Sequence, residues 1–254
     1  MPSQVRIMST GFTPRMIARV MAIGLCLLGP AASAESVSWS ITPYIWASDT
    51  SIDLAFRDQA IGSGELSFDD LLDVLDAAFM VHVEGGKGQW SAFADLTYLD
   101  TSDTTQRTLL TVDARNKQTF LDAAIAYWPG GSGSPLSLFG GLRYSGFDDR
   151  YSFSRDGTVL SERRSRKDYY DVLLGARYAF KLSERWSLLT HADYSFGDSE
   201  GTYLLRANFG FRVGARRQNQ ILFGYQYKQA EFKDGDLTSA FAYTGPMAGF
   251  NFRF

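Results

Sequence analysis

Between residues 203 and 213 apolar and polar positions alternate without a break. Tyr203, Leu205, Ala207, Phe209, Phe211 and Val213 share one parity; Arg206, Asn208, Gly210 and Arg212 share the other. Successive side chains of a strand leave opposite faces of the pleat, so a period of two predicts a strand with one apolar face. WSAFADLTYL at 90–99 and YDVLLGARYAF at 170–180 repeat the pattern. Ten such segments are predicted, near 37–47, 78–85, 89–101, 117–128, 136–146, 168–180, 185–196, 203–214, 220–231 and 242–254. The segments 90–99, 170–180 and 203–213 each have the 9–11 residues of a tilted strand that crosses a bilayer.

The connections alternate in length. GGKG (85–88), PGGSGSP (129–135), KLSE (181–184) and ARRQNQ (215–220) are short, whereas 48–77, 102–116, 147–167, 197–202 and 232–241 are mostly longer and more polar. Tight turns on one side and long connections on the other predict a closed antiparallel transmembrane β-barrel of ten strands, with eight and twelve as the alternative counts. Short turns then face the periplasm with both termini, and long loops face outward. In the first long connection Phe68, Leu71, Leu72 and Leu75 sit at helical spacing, and Ser67 with Asp70 forms a candidate capping box. A short helix is predicted within 67–76. Segments 51–57 and 64–69 are candidates for an extra hairpin that extends existing strands or adds two.

Aromatic residues gather where strands would meet the bilayer interfaces. Trp39, Trp90, Trp186, Tyr127, Phe180 and Phe254 mark the periplasmic ends; Tyr98, Tyr144, Tyr170, Tyr194 and Tyr203 mark the outer ends. The chain stops on AGFNFRF, with Phe250, Phe252 and Phe254 on one face. That ending suits a lipid-facing last strand and an assembly signal read by the barrel-assembly machinery. A soluble two-sheet sandwich also alternates, but it would not place aromatics at both ends of one face.

Residues 1–34 carry Arg6, Arg15 and Arg19, no acidic residue, the apolar run VMAIGLCLL and the sequence Ala32-Ser33-Ala34. This is the pattern of a signal peptide cut before Glu35, which makes 35–254 the barrel domain. The apolar run is too short to span a bilayer as a helix. Cys26, the only cysteine, leaves with the leader, so thiol and disulfide chemistry are excluded from the remainder. That remainder holds 22 basic against 28 acidic residues, which argues against nucleic acid as a partner. The predicted location is the outer membrane of a Gram-negative bacterium, with lipid and lipopolysaccharide as partners.

TPYIW (42–46), FDDLLDVLDAAFM (68–80), WSAFADLTYLD (90–100) and GGLRY (140–144) resemble stretches of a family of uncharacterised proteobacterial outer-membrane β-barrel proteins. The resemblance implies location and fold; it carries no activity and no site residue.

With the apolar faces outward, the candidate lumen network is His82, Glu84, Asp95, Asp122, Arg143, Asp171, Arg177, His191, Asp193, Arg206, Arg212, Lys228 and Arg253, together with Gln226 and Asn251. Charges inside a small barrel must pair or be hydrated. The leading expectation is a structural or surface-interaction barrel filled by this network. The alternative is a narrow polar channel for small solutes. A third reading is a barrel hydrolase using His191 and Asp193, with Ser187 and Ser195 on the same face; residues i and i+2 lie ~7 Å apart along a strand, and no G-x-S-x-G motif occurs. No catalytic, cofactor or metal residue is assigned: Asp69, Asp70, Asp73 and Asp76 lack the turn glycine of a calcium loop. Arg163, Arg164, Arg166 and Lys167 form a basic run expected to meet lipopolysaccharide phosphates or nearby carboxylates.

Overall fold

A computed structural model describes residues 37–57, 59–107, 110–131, 133–155, 158–214 and 218–254. The predicted leader and its cleavage point lie outside these residues. The strands are β1 (Ser38–Trp46), β2 (Asp49–Phe56), β3 (Gln59–Leu66), β4 (Leu75–Lys87), β5 (Trp90–Arg107), β6 (Leu110–Tyr127), β7 (Leu136–Arg155), β8 (Thr158–Lys181), β9 (Trp186–Gly197), β10 (Gly201–Val213), β11 (Asn219–Asp234) and β12 (Leu237–Arg253); helix α1 (Phe68–Val74) joins β3 to β4.

Ten strands form a closed antiparallel barrel in the order β1-β4-β5-β6-β7-β8-β9-β10-β11-β12, and β12 returns to β1. Closure pairs every wall strand on both sides, which is what a sheet in lipid requires. At the seam Ile41 lies opposite Phe252 and Trp46 opposite Met247. Trp39 and Phe254 exchange backbone hydrogen bonds of 2.9 and 3.0 Å, so the last residue is part of the wall.

The extra hairpin is β2–β3. It runs 49–56 and 59–66, so its second strand begins earlier than the 64–69 expected from sequence. β2 continues the line of β1, because both pair with β12: β1 with Met247–Arg253 and β2 with Leu237–Thr244. The step between them falls at Ala47–Ser48, where a Cβ on Gly245 would collide with the Ala47 carbonyl. The hairpin therefore lengthens the wall and leaves the barrel count at ten. Helix α1 has the expected cap: Ser67 Oγ accepts from the Asp70 N–H at 3.2 Å, and the Asp70 carboxylate accepts from the Ser67 N–H at 3.3 Å.

The first short connection is tight. Gly88, with φ +63°, turns the β4–β5 hairpin in the left-handed region that favours glycine. Most of the long connections expected as loops are instead extensions of the strands. The β7–β8 hairpin keeps its ladder from Tyr144–Tyr170 to Arg155–Thr158, which is roughly 35 Å along the strand. Polar residues on both faces hide such a hairpin from a search for alternation. Cross-strand charge pairs support these extensions: Arg115 and Lys117 reach the Asp100 carboxylate at 2.8 and 2.9 Å.

The outward faces form the apolar belt. Ile45, Trp90, Ile125, Leu142, Leu174, Leu205 and Phe254 are each half or more exposed, as expected of side chains whose solvent is lipid. Aromatic pairs line its edges, Trp90 against Tyr127 at 4.9 Å at the short-turn rim and Tyr144 against Tyr170 at 5.2 Å at the tall rim.

Candidate functional site: the filled lumen

The inward parity carries charge at mid-height. His82 Nδ1 lies 3.1 Å from Asp95 and Nε2 lies 3.5 Å from Glu84. Glu84 accepts two hydrogen bonds from Arg177 across the lumen, at 2.9 and 3.0 Å, and a third from Ser91 at 2.6 Å. Asp95 accepts from the Tyr44 hydroxyl at 2.6 Å and faces Arg206 at 3.5 Å. These bonds link β1, β4, β5, β8 and β10 through the barrel interior.

A second cluster centres on Arg143, whose side chain is fully buried. It makes a bidentate pair with Asp122, both contacts 2.7 Å, and reaches Asp193 at 2.9 Å. Asp193 also lies 2.6 Å from His191 Nε2. The strand spacing of ~7 Å between i and i+2 backbones thus did not keep His191 and Asp193 apart, because both side chains lean together. Neither serine completes a triad: Ser195 Oγ donates to Asp171 at 3.2 Å, and Ser187 Oγ donates to the Gly210 carbonyl at 3.5 Å.

Four residues of the candidate set sit differently. Asp171 is 2 % exposed and serves the tall rim, accepting from the Ser199 hydroxyl at 2.6 Å and the Ser199 N–H at 3.0 Å. It joins the Arg143 cluster only through Ser195. Arg212 and Arg253 lie at the short-turn mouth, below the clusters. Arg253 donates to Asn251 at 3.2 Å, and among the described residues no carboxylate lies within ion-pair distance of either arginine. Lys228 is buried with its ammonium 3.6 Å from the centre of the Phe120 ring, a cation–π contact.

Above the charges lies an aromatic layer outside the predicted polar network. Tyr44, Trp46, Met80, Phe120, Tyr243 and Met247 form a buried cluster with Leu99, Phe147 and Phe241 against it. Phe147 packs edge-on to Phe120 and Phe232 at 5.8 and 5.2 Å and stacks on Phe241 at 5.8 Å. The available signal was parity: Phe120 and Asp122 share a face, as do Met80 and His82. A lumen set drawn from polar residues alone leaves these aromatics out.

The lumen thus reads in layers from the short-turn end. A vestibule of about 180 Å³ comes first, then the ionic layer. Next is a void of about 20 Å³ among Tyr44, Asp95, Asp122, Arg206, Gln226 and Lys228, room for a single water. The aromatic layer closes the far side.

Outside the lumen, alternation splits the basic run. Arg164 pairs with Asp148 at 2.5 Å and Arg166 with Asp168 at 3.2 Å on the outward face. Lys167 has the opposite parity and reaches Asp234 at 2.5 Å; Arg163 shares that parity. The four cations therefore do not make one patch. Among the described residues no group of His, Cys, Asp and Glu has metal-binding geometry.

No protein-family model matches the chain, and no curated protein matches it in sequence. Similar solved structures include Ail, the attachment invasion locus protein of Yersinia pestis, with TM-score 0.39 and 11% identity over 86% of this chain and 100% of that one. The outer membrane protease OmpT of Escherichia coli has TM-score 0.47 and 10% identity over 89% and 99%. The outer membrane protein OprG of Pseudomonas aeruginosa has TM-score 0.33 and 14% identity over 85% and 96%. Likeness at this level carries no role to the present chain.

Proposed function

We propose that this chain is a non-conducting outer-membrane barrel of structural or surface-interaction type, exported with its leader removed before Glu35. Its short turns and termini face the periplasm, and its tall hairpins stand outside the cell. The observation that carries this reading is the closed lumen, where the fully buried Arg143 is held between Asp122 and Asp193 beneath the aromatic layer around Phe120 and Phe147. A narrow channel needs a continuous hydrated path, and the mid-lumen void has room for only one water. A hydrolase needs a nucleophile beside its base, and the nearby serines are spent on Asp171 and Gly210.

The external hairpins then supply the working surface. Arg164 and Arg166, on the outward face, would exchange Asp148 and Asp168 for lipopolysaccharide phosphates, whereas Arg163 and Lys167 lie on the opposite face and take no part. The barrel-assembly machinery would engage the Phe250–Phe254 strand. Planar-bilayer recording of refolded protein tests the central claim. The expected record has no stable conductance steps in the wild type and steps in a Phe120→Ala/Phe147→Ala double variant. Reproducible wild-type steps would favour the channel.

A further inference from the structure

The short-turn vestibule has a chemistry that the barrel's structural role does not use. Its inner end is the ionic layer, with Arg177 and Arg206 already committed to Glu84 and to Asp95 and Gln226. Its mouth is different. Arg253 lines the cavity; Arg212 lies beside it at the mouth, two strands away in the row Arg212–Gln220–Asn251, one same-face step inward from Arg253. No described carboxylate neutralises either cation. Most guanidinium donors at this mouth are therefore free for a ligand. Asn208 also lines the cavity; it is 5 % exposed and its Oδ1 has no hydrogen-bond partner. A buried acceptor left unsatisfied is costly, and a ligand that donates a hydrogen bond would remove that cost. Apolar wall comes from Leu189, Leu222 and the Trp128 ring.

We propose that this vestibule binds a small organic acid that also carries a hydroxyl or ammonium donor, the carboxylate held by Arg253 and Arg212 and the donor by Asn208. Its volume of about 180 Å³ is below the ~300–1,000 Å³ of clefts that hold drug-sized ligands. The occupant is therefore of few heavy atoms and enters from the periplasm. Two neighbouring cations suit a carboxylate because charge-assisted hydrogen bonds are the strong ones. The binding reading does not depend on the absence of conductance, so the two stand or fall separately.

The test is calorimetric titration of refolded protein in detergent at low salt with malate, which has a hydroxyl, and succinate, the same skeleton without it. Saturable malate binding is expected, weaker for succinate. Each of Arg212→Gln and Arg253→Gln should weaken malate about tenfold, the scale of one charge-assisted hydrogen bond. Asn208→Ala should bring malate down to succinate. Both arginines sit outside the ion-paired clusters, so their variants should keep the wild-type heat-modifiable gel shift; if one does not fold, the other carries the test. Absence of saturable binding of both acids, or malate binding unchanged in the folded arginine variants, would overturn the assignment.

Discussion

Arg143 gathers the electrostatic risk of the lumen in one side chain. Its two partners, Asp122 and Asp193, have side chains 16% and 1% exposed. Replacing it with alanine leaves two carboxylates without their common cation, and breaking a buried pair from one side costs about 3–5 kcal/mol. Arg143→Ala should therefore unfold at clearly lower urea than wild type in the same detergent, and an unchanged midpoint would show that the triad is not structural. The outward wall makes a second case. Leu174 is 54% exposed on the lipid face, and arginine at mid-membrane on that face costs ~2–4 kcal/mol. Leu174→Arg should refold poorly into vesicles, whereas Ser40→Arg, which points into the vestibule, should refold well. The neighbouring Gly175 would be a poor control although it faces inward. A Cβ there would collide with the Phe139 ring and come within 2.7 Å of the Ala192 carbonyl. Equal refolding of the two arginine variants would refute the facing assignment.

At the scale of elements, β12 does the most. It closes the barrel against β1, continues upward against β2, and pairs along its whole length with β11. Phe250 and Phe252 pack their rings at 4.5 Å on the outer face, and Phe254 ends the ladder with its two backbone bonds to Trp39. Deleting Phe254 removes that bond pair and an aromatic worth roughly 1.5–3 kcal/mol when buried. The truncated protein should show reduced outer-membrane abundance and a weaker heat-modifiable band than wild type. Wild-type levels of both would mean that the terminal residue is neither seam nor signal. The strands themselves were legible wherever one face meets lipid, as at 203–213. Their upper ends were not, because beyond the bilayer both faces of β7 and β8 carry charges, as at Asp148 and Asp149 or Arg163 and Arg164, and the period of two loses contrast.

For the whole molecule, local pattern determined much. The period of two, the alternating turn lengths and the capping box at Ser67 specify ten wall strands, a helix after the first hairpin and the parity of nearly every lumen charge. Those features depend on neighbours in the chain, so the order of residues is enough to state them. The tertiary structure decided which charges meet and whether the lumen is open. Glu84 and Arg177 are 93 residues apart and touch only because the sheet closes. Phe120, Phe147, Phe232 and Phe241 come from four strands, and their convergence on one level depends on the register of the whole barrel. By residue type an inward aromatic and an outward one look alike, and only parity relative to a charge on the same strand, such as Asp122 for Phe120, separates them in sequence. Closure and register then set one against lipid and the other against the opposite wall.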